Sequence, residues 1–215
     1  MIFYTKNGLK TFHLLKIKKI TIKFMFEKRL NFETAFKYPF NRLVGMWNVL
    51  WLLLPIFGWF AFGGYTIRIV QEFTKGKFKE VPKMKFGDDF KLGFFMFLKA
   101  IPFGIAYLVL LFIIGKILSA LGLVWLVTLI NAFFALLVVP VLAINFMKKE
   151  RVDAFFEFKK VKPVFENFGD YIVALLKSIA LGIIFCVLSI ILIGIPAGAF
   201  TKNIFIADFY YRKVK

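Results

Sequence analysis

Residues 43–67 read LVGMWNVLWLLLPIFGWFAFGGYTI, twenty-five positions without an Asp, Glu, Lys or Arg. A helix needs roughly 20 consecutive apolar residues to cross a bilayer. Pro55 and Gly58 interrupt this run, and proline and glycine break helices. The run therefore reads as two short arms joined at Pro55-Ile56-Phe57-Gly58. Either arm alone would reach only ~20 Å at 1.5 Å per residue. The expectation is a helical hairpin that dips into a membrane and returns.

Three more charge-free runs follow, at residues 100–115, 117–147 and 178–201. Hydrophobic residues make up 60% of the 215, against about 45–50% in soluble domains. A soluble fold of this size cannot hide so many apolar spans. The expected fold class is all-α: a polytopic helical membrane protein of four to six membrane segments, with Pro/Gly-broken hairpins and amphipathic interfacial helices. The segments fall at about 43–54, 58–73, 92–115, 117–147, 171–195 and 198–211, within one domain over residues 26–215. Gly115-Lys116 reads as a tight turn. Pro196 and Gly198 read as a second break like that at Pro55. Residues 26–42 read as an amphipathic interfacial helix broken near Pro39, with Phe32, Ala35 and Phe36 at helical spacing. Residues 1–25 form a basic tail, read either as disordered or as preceding a translation start at Met25. They contain no apolar core suited to a cleaved signal.

The net charge of +18 is not spread evenly. Residues 1–42 carry 10 Lys and Arg, residues 68–91 carry 7, residues 148–170 carry 6 and residues 202–215 carry 4. If each charge-free run crossed once, the two sides of the membrane would receive nearly equal positive charge. If residues 43–73 return to their starting side, the three largest clusters share one compartment. Cytoplasmic loops carry the excess of Lys and Arg, so the hairpin and a cytoplasmic N-terminus are expected, in the plasma membrane. Placement of the charges between apolar spans argues for topology and anionic lipid, and against nucleic acid.

Ala35-Phe36-Lys37-Tyr38-Pro39-Phe40 precedes the first span. Pro55-x-x-Gly58 leads to Gly64-Tyr65-x-x-Arg68. Val81-Pro82, Gly87-Asp88-Asp89-Phe90 and Gly93 follow, and Asn167-Phe168-Gly169-Asp170-Tyr171 opens a later span. In order and spacing, over roughly residues 26–213, these patterns resemble the prokaryotic, mainly archaeal membrane family called domain of unknown function 4013. The resemblance implies a multi-pass membrane fold and carries no established activity. The two ends of the domain also look alike. Each has Ala-Phe in an amphipathic segment (Ala35-Phe36, Ala154-Phe155), then a span, a Pro/Gly break and an aromatic arm with basic residues near its end. Such duplication is common in membrane proteins.

Few residues suit catalysis. His13 is the only histidine and Cys186 the only cysteine. Cys186 lies deep in an apolar run and reads as packing. No catalytic set, cofactor or metal site is expected. Asp88-Asp89 could hold a divalent cation and a lipid phosphate, but the pair reads more simply as a helix cap. Arg68 could bind a phosphate, and reads more simply as a topology anchor. Asn48 and Asn131 are expected to bond neighbouring helices. The leading expectation is a non-enzymatic membrane protein. Its basic face would contact anionic headgroups, and its helices would pack with a membrane partner or a second copy. The rivals are a permease component for a neutral or lipid-like solute, and a small lipid-modifying enzyme using Asp88 and Asp89.

Overall fold

The computed structural model describes residues 29–214. The expected basic tail, residues 1–25, lies outside them. Among the described residues every regular element is helical, and three helices are long and apolar enough to cross a membrane.

The chain enters at α1 (Phe32–Lys37), where the Asn31 side chain accepts the Glu33 amide. Pro39 then tightens the backbone into a 3-10 segment, Tyr38–Arg42. The apolar face of this amphipathic stretch meets protein. Ala35 and Tyr38 are fully buried, Phe32 stacks on Phe205, and Phe36 stacks on Phe185.

The first arm is α2 (Leu43–Met46) and a 3-10 segment, Trp47–Leu53. The chain reverses over Leu54, Pro55 and Ile56, with Ile56 at φ 65°. It returns as α3 (Phe57–Phe73). Gly58 does not break the helix. It sits in the first turn of α3, where a Cβ would overlap the carbonyl of Trp51 on the first arm. The glycine is needed for close approach of the two arms. Trp59 Nε1 ties them by donating to the Leu52 carbonyl at 3.0 Å.

Helix α4 (Phe86–Ala120) starts earlier and ends later than the sequence suggested. It runs through Gly115 and Lys116, so the expected turn there is absent. Glycine in a helix costs only ~1 kcal/mol, and the Lys116 ammonium rests over the Phe112 ring. The turn comes instead at Gly122, whose φ of +71° suits glycine. Gly122 N–H bonds the Ser119 carbonyl and Leu123 N–H bonds the Leu118 carbonyl. That paired pattern is a Schellman cap. Helix α5 (Trp125–Lys149) returns, with a π-turn at Phe134–Val138.

Glu150, in the left-handed region, ends α5. A run of 3-10 turns and the short α6 (Lys162–Glu166) leads to α7 (Phe168–Leu188). The second reversal centres on Leu192 at φ 63°, not on Pro196 and Gly198. Pro196 lies inside α8 (Gly194–Thr201), where the first turn of a helix tolerates it. Gly198 meets nothing closer than 3.5 Å, whereas a Cβ on Gly194 would overlap the Phe185 carbonyl. Gly194 thus plays the part that Gly58 plays in the first reversal. Helix α9 (Ile204–Phe209) and a π-turn, Tyr210–Val214, complete the chain. Cys186 lies on an exposed face of α7, so the expected packing role is not what the fold gives it.

The core is organised where α3 crosses α4. A Cβ on Gly64 would overlap the Asp89 carbonyl, and one on Gly93 would overlap the Phe60 carbonyl. Gly63, beside Gly64, has open space in place of its Cβ. Phe60 packs against Phe90, Phe94 and Phe97 along the same seam. Gly64→Ala and Gly93→Ala are each expected to cost about 1–3 kcal/mol through overpacking, while Gly63→Ala should change stability by less than ~0.5 kcal/mol. Unfolding in detergent, followed for all three variants, checks the contrast. Equal losses at Gly63 and Gly64 would disprove the crossing.

Candidate functional site

Of the residues singled out from the sequence, Arg68, Asp88 and Asp89 lie at the loop between α3 and α4. Arg68 and Asp89 form a bidentate pair, Nε to Oδ1 at 2.8 Å and Nη2 to Oδ2 at 2.7 Å. The Asp89 side chain is only 1% exposed. Its Oδ2 also accepts the Lys85 backbone N–H at 2.7 Å. Asp89 therefore sits within the first turn of α4 and reaches back to its N-cap, where the helix dipole favours a carboxylate. Asp88 points away. Its side chain is exposed, with Lys85 Nζ at 3.9 Å. The neighbouring aspartates do not face one ligand, and among the described residues no group of three His, Cys, Asp or Glu could hold a metal.

The rest of the site is a clamp on the backbone of residues 79–85. Arg68 donates to the Lys83 carbonyl, Tyr65 Oη to the Pro82 carbonyl, Arg42 to the Val81 carbonyl and Asn41 to the Lys79 carbonyl. Arg42 also pairs with Glu80 at 3.5 Å. Pro82 holds the preceding residue extended, so consecutive carbonyls point outward and need donors. Asn41, Arg42, Tyr65 and Arg68 supply them. Arg68 is thus committed inside the protein rather than free for a phosphate. Asn48, on the first arm, lies beside Tyr65.

A second paired arginine, more deeply buried than Arg68, escaped sequence reading. Arg212, its side chain 4% exposed, bonds Asp208 at 2.9 Å and lies 3.7 Å from Asp170. Asp170 stands in the first turn of α7, as Asp89 stands in the first turn of α4. Both returning arms carry a tyrosine shortly before an arginine, Tyr65 and Arg68 in the first and Tyr211 and Arg212 in the second, and each arginine meets an aspartate opening a long helix. The likeness of the two ends was the signal that could have found it.

A third cluster lies at the end of α5. Buried Asn145 donates to the Ala154 carbonyl and accepts from Tyr210 Oη at 2.6 Å. Lys149 Nζ donates to both oxygens of Glu157 at 2.6 Å. That hydrogen bond holds the Glu157 carboxyl below the usual carboxylate range, against a smaller opposing effect of desolvation. Higher in α5, Asn131 accepts from Tyr107 Oη at 2.7 Å, bonding the neighbouring helix as its position in an apolar run requires.

An apolar groove of about 720 Å³ lies between α3, α4 and α5, lined by Trp59, Phe60, Ile67, Met96, Phe97 and Phe146 among others.

Two outcomes follow from these pairs. Asp89→Ala should lose about 3 kcal/mol, because it strands a partly buried guanidinium, while Asp88→Ala should stay within ~0.5 kcal/mol. Thermal unfolding of both variants in one detergent tests this, and equal effects would refute the division of roles. For Glu157, the lowered folded pKa means its stabilisation is complete at neutral pH. It is lost as pH falls from the usual value of 4.5 through the lowered one. Glu157→Gln should flatten the acid limb of the unfolding-temperature profile and leave its slope above about pH 6 unchanged.

No curated protein and no solved structure matches the chain. Residues 48–194, which hold the first reversal, the clamped loop and all three long helices, match the family described as protein of unknown function (DUF4013), and the chain belongs to that family.

Proposed function

We propose that this is a non-enzymatic integral membrane protein whose lysine-rich segments form one cytoplasmic surface for anionic lipid headgroups. The observation that carries this reading is the meeting of those segments. Gln71, at the end of α3, donates to the Met147 carbonyl near the end of α5. Gly76 lies under the Tyr211 ring. Lys160 donates to the Val214 carbonyl. The ends of α3 and α5 and residue Val214 are thus neighbours, and Asn41 and Arg42, before the first arm, donate to the Lys79 and Val81 carbonyls beyond α3, which supports a hairpin at Pro55.

Charge bookkeeping supports a lipid surface over an enzyme. Every carboxylate among the described residues lies against a cation or an amide of the same chain. Lys79, Lys83, Lys91 and Lys159 are exposed, with no carboxylate within 4 Å among the described residues. Lysines near an anionic leaflet contribute ~1 kcal/mol each. The apolar lining of the groove also favours this reading over a permease, whose substrate path would need polar groups at depth.

Replacement of Lys79, Lys83, Lys91 and Lys159 by Gln should reduce the preference for phosphatidylglycerol over phosphatidylcholine by ~10-fold or more in mixed nanodiscs. An unchanged preference would refute the lipid surface. In a Cys186→Ser background, Lys79→Cys and Lys83→Cys should react with an impermeant thiol reagent only from the cytoplasmic side. Reaction from outside intact cells would overturn the hairpin topology.

A further inference from the structure

We infer that the groove between α3, α4 and α5 holds one acyl chain of an anionic phospholipid, with its phosphate on Lys99. The inference rests on the membrane reading above but uses a different part of the molecule. The groove's volume of about 720 Å³ lies within the ~300–1,000 Å³ of small-molecule sites. It follows α3 from Ile56 to Ile67, eleven residues or ~16 Å at 1.5 Å per residue. That length matches one leaflet, half of a hydrocarbon core ~30 Å thick. Gly63 keeps the floor open, since nothing lies within 4 Å of where its Cβ would stand.

One end of the groove is polar. Gln71, one turn beyond Ile67, donates to the Met147 carbonyl and to the Glu150 carboxylate. Lys99, next to the lining residue Ala100, donates to the Glu150 carbonyl at 2.8 Å. The helix C-terminus thus orients the ammonium without neutralising it. No carboxylate among the described residues lies within 4 Å of Lys99 Nζ, and Glu150 faces Gln71 instead. The other cations at this end are engaged: Lys149 with Glu157, Arg151 with Asp153, and Lys148 over the Tyr210 ring. A half-buried ammonium on an otherwise apolar stretch of helix is costly without a counter-charge. A phospholipid phosphate at the mouth supplies that charge, and the chain beside it fills the groove.

Trp59 lines the groove and serves as the reporter. The full-length protein carrying Trp47→Phe, Trp51→Phe and Trp125→Phe is placed in phosphatidylcholine nanodiscs containing a minor fraction of phosphatidylglycerol. Bromine is carried on the acyl chains of one lipid or the other. Brominated phosphatidylglycerol should quench Trp59 at a several-fold lower mole fraction than brominated phosphatidylcholine. Lys99→Gln should abolish that preference, Lys99→Arg should retain it, and Gly63→Leu should weaken quenching by both lipids. The four-lysine variant, which retains Lys99, should keep it. Equal quenching by the two lipids, or a preference that survives Lys99→Gln, would overturn the site. A preference lost only in the four-lysine variant would also overturn it, while leaving the headgroup surface standing. Quenching by a brominated free fatty acid in place of phosphatidylglycerol would overturn the phospholipid assignment.

Discussion

Backbone contact between α3 and α4 at Gly64 and Gly93 is the constraint on which the rest depends. In hydrocarbon, helices gain little from burying apolar side chains against each other, because lipid tails are equally apolar. Association must come from close packing and from polar bonds. Two glycines let the backbones touch. One turn along α3, Arg68 then reaches Asp89 and fixes the register. A slide of one turn would part this pair and leave an almost fully buried carboxylate with only the Lys85 amide of its own helix.

The same logic operates twice. At each reversal a glycine in the opening turn of the returning helix lets it press on a carbonyl of the incoming arm, Gly58 on Trp51 and Gly194 on Phe185. Each returning arm carries an arginine that meets an aspartate at the start of a long helix. Negative charge is favoured at that helix end, and a buried guanidinium is tolerated only with a partner. The two ends therefore share a mechanical plan even where their sequences differ. The reversals differ in the incoming arm, which is a short 3-10 stretch in the first and the full-length α7 in the second.

The polar groups divide by depth. The buried carboxylates, Asp89 and Asp208, pair with arginines, and the exposed ones lie near cations at the surface. The surplus cations remain on the loops. This separation lets one chain carry a large positive charge without a large internal electrostatic cost. It also leaves a surface whose counter-ions must come from elsewhere. Lys99 brings the same requirement to the edge of an apolar groove.

Local terms were legible in the residues. Charge-free length gave the membrane class, and the Pro55 tetrapeptide located the first reversal within two residues. Glycine was harder to read, because one residue type serves three purposes. Gly115 merely continues a helix, Gly122 supplies a positive φ, and Gly58, Gly64, Gly93 and Gly194 make room for another backbone. Only the neighbour in space distinguishes these. The same holds for charge: Asp88 and Asp89 are adjacent in sequence, yet helical geometry turns one to solvent and the other to Arg68, twenty-one positions away. Hydropathy and backbone preference are properties of a residue and its immediate neighbours, so the sequence by itself determined where the chain is apolar and where it must bend. Partner choice depends on which helix faces meet, so only the tertiary structure decided which arginine is buried, which aspartate holds it and which lysine is left without a counter-charge.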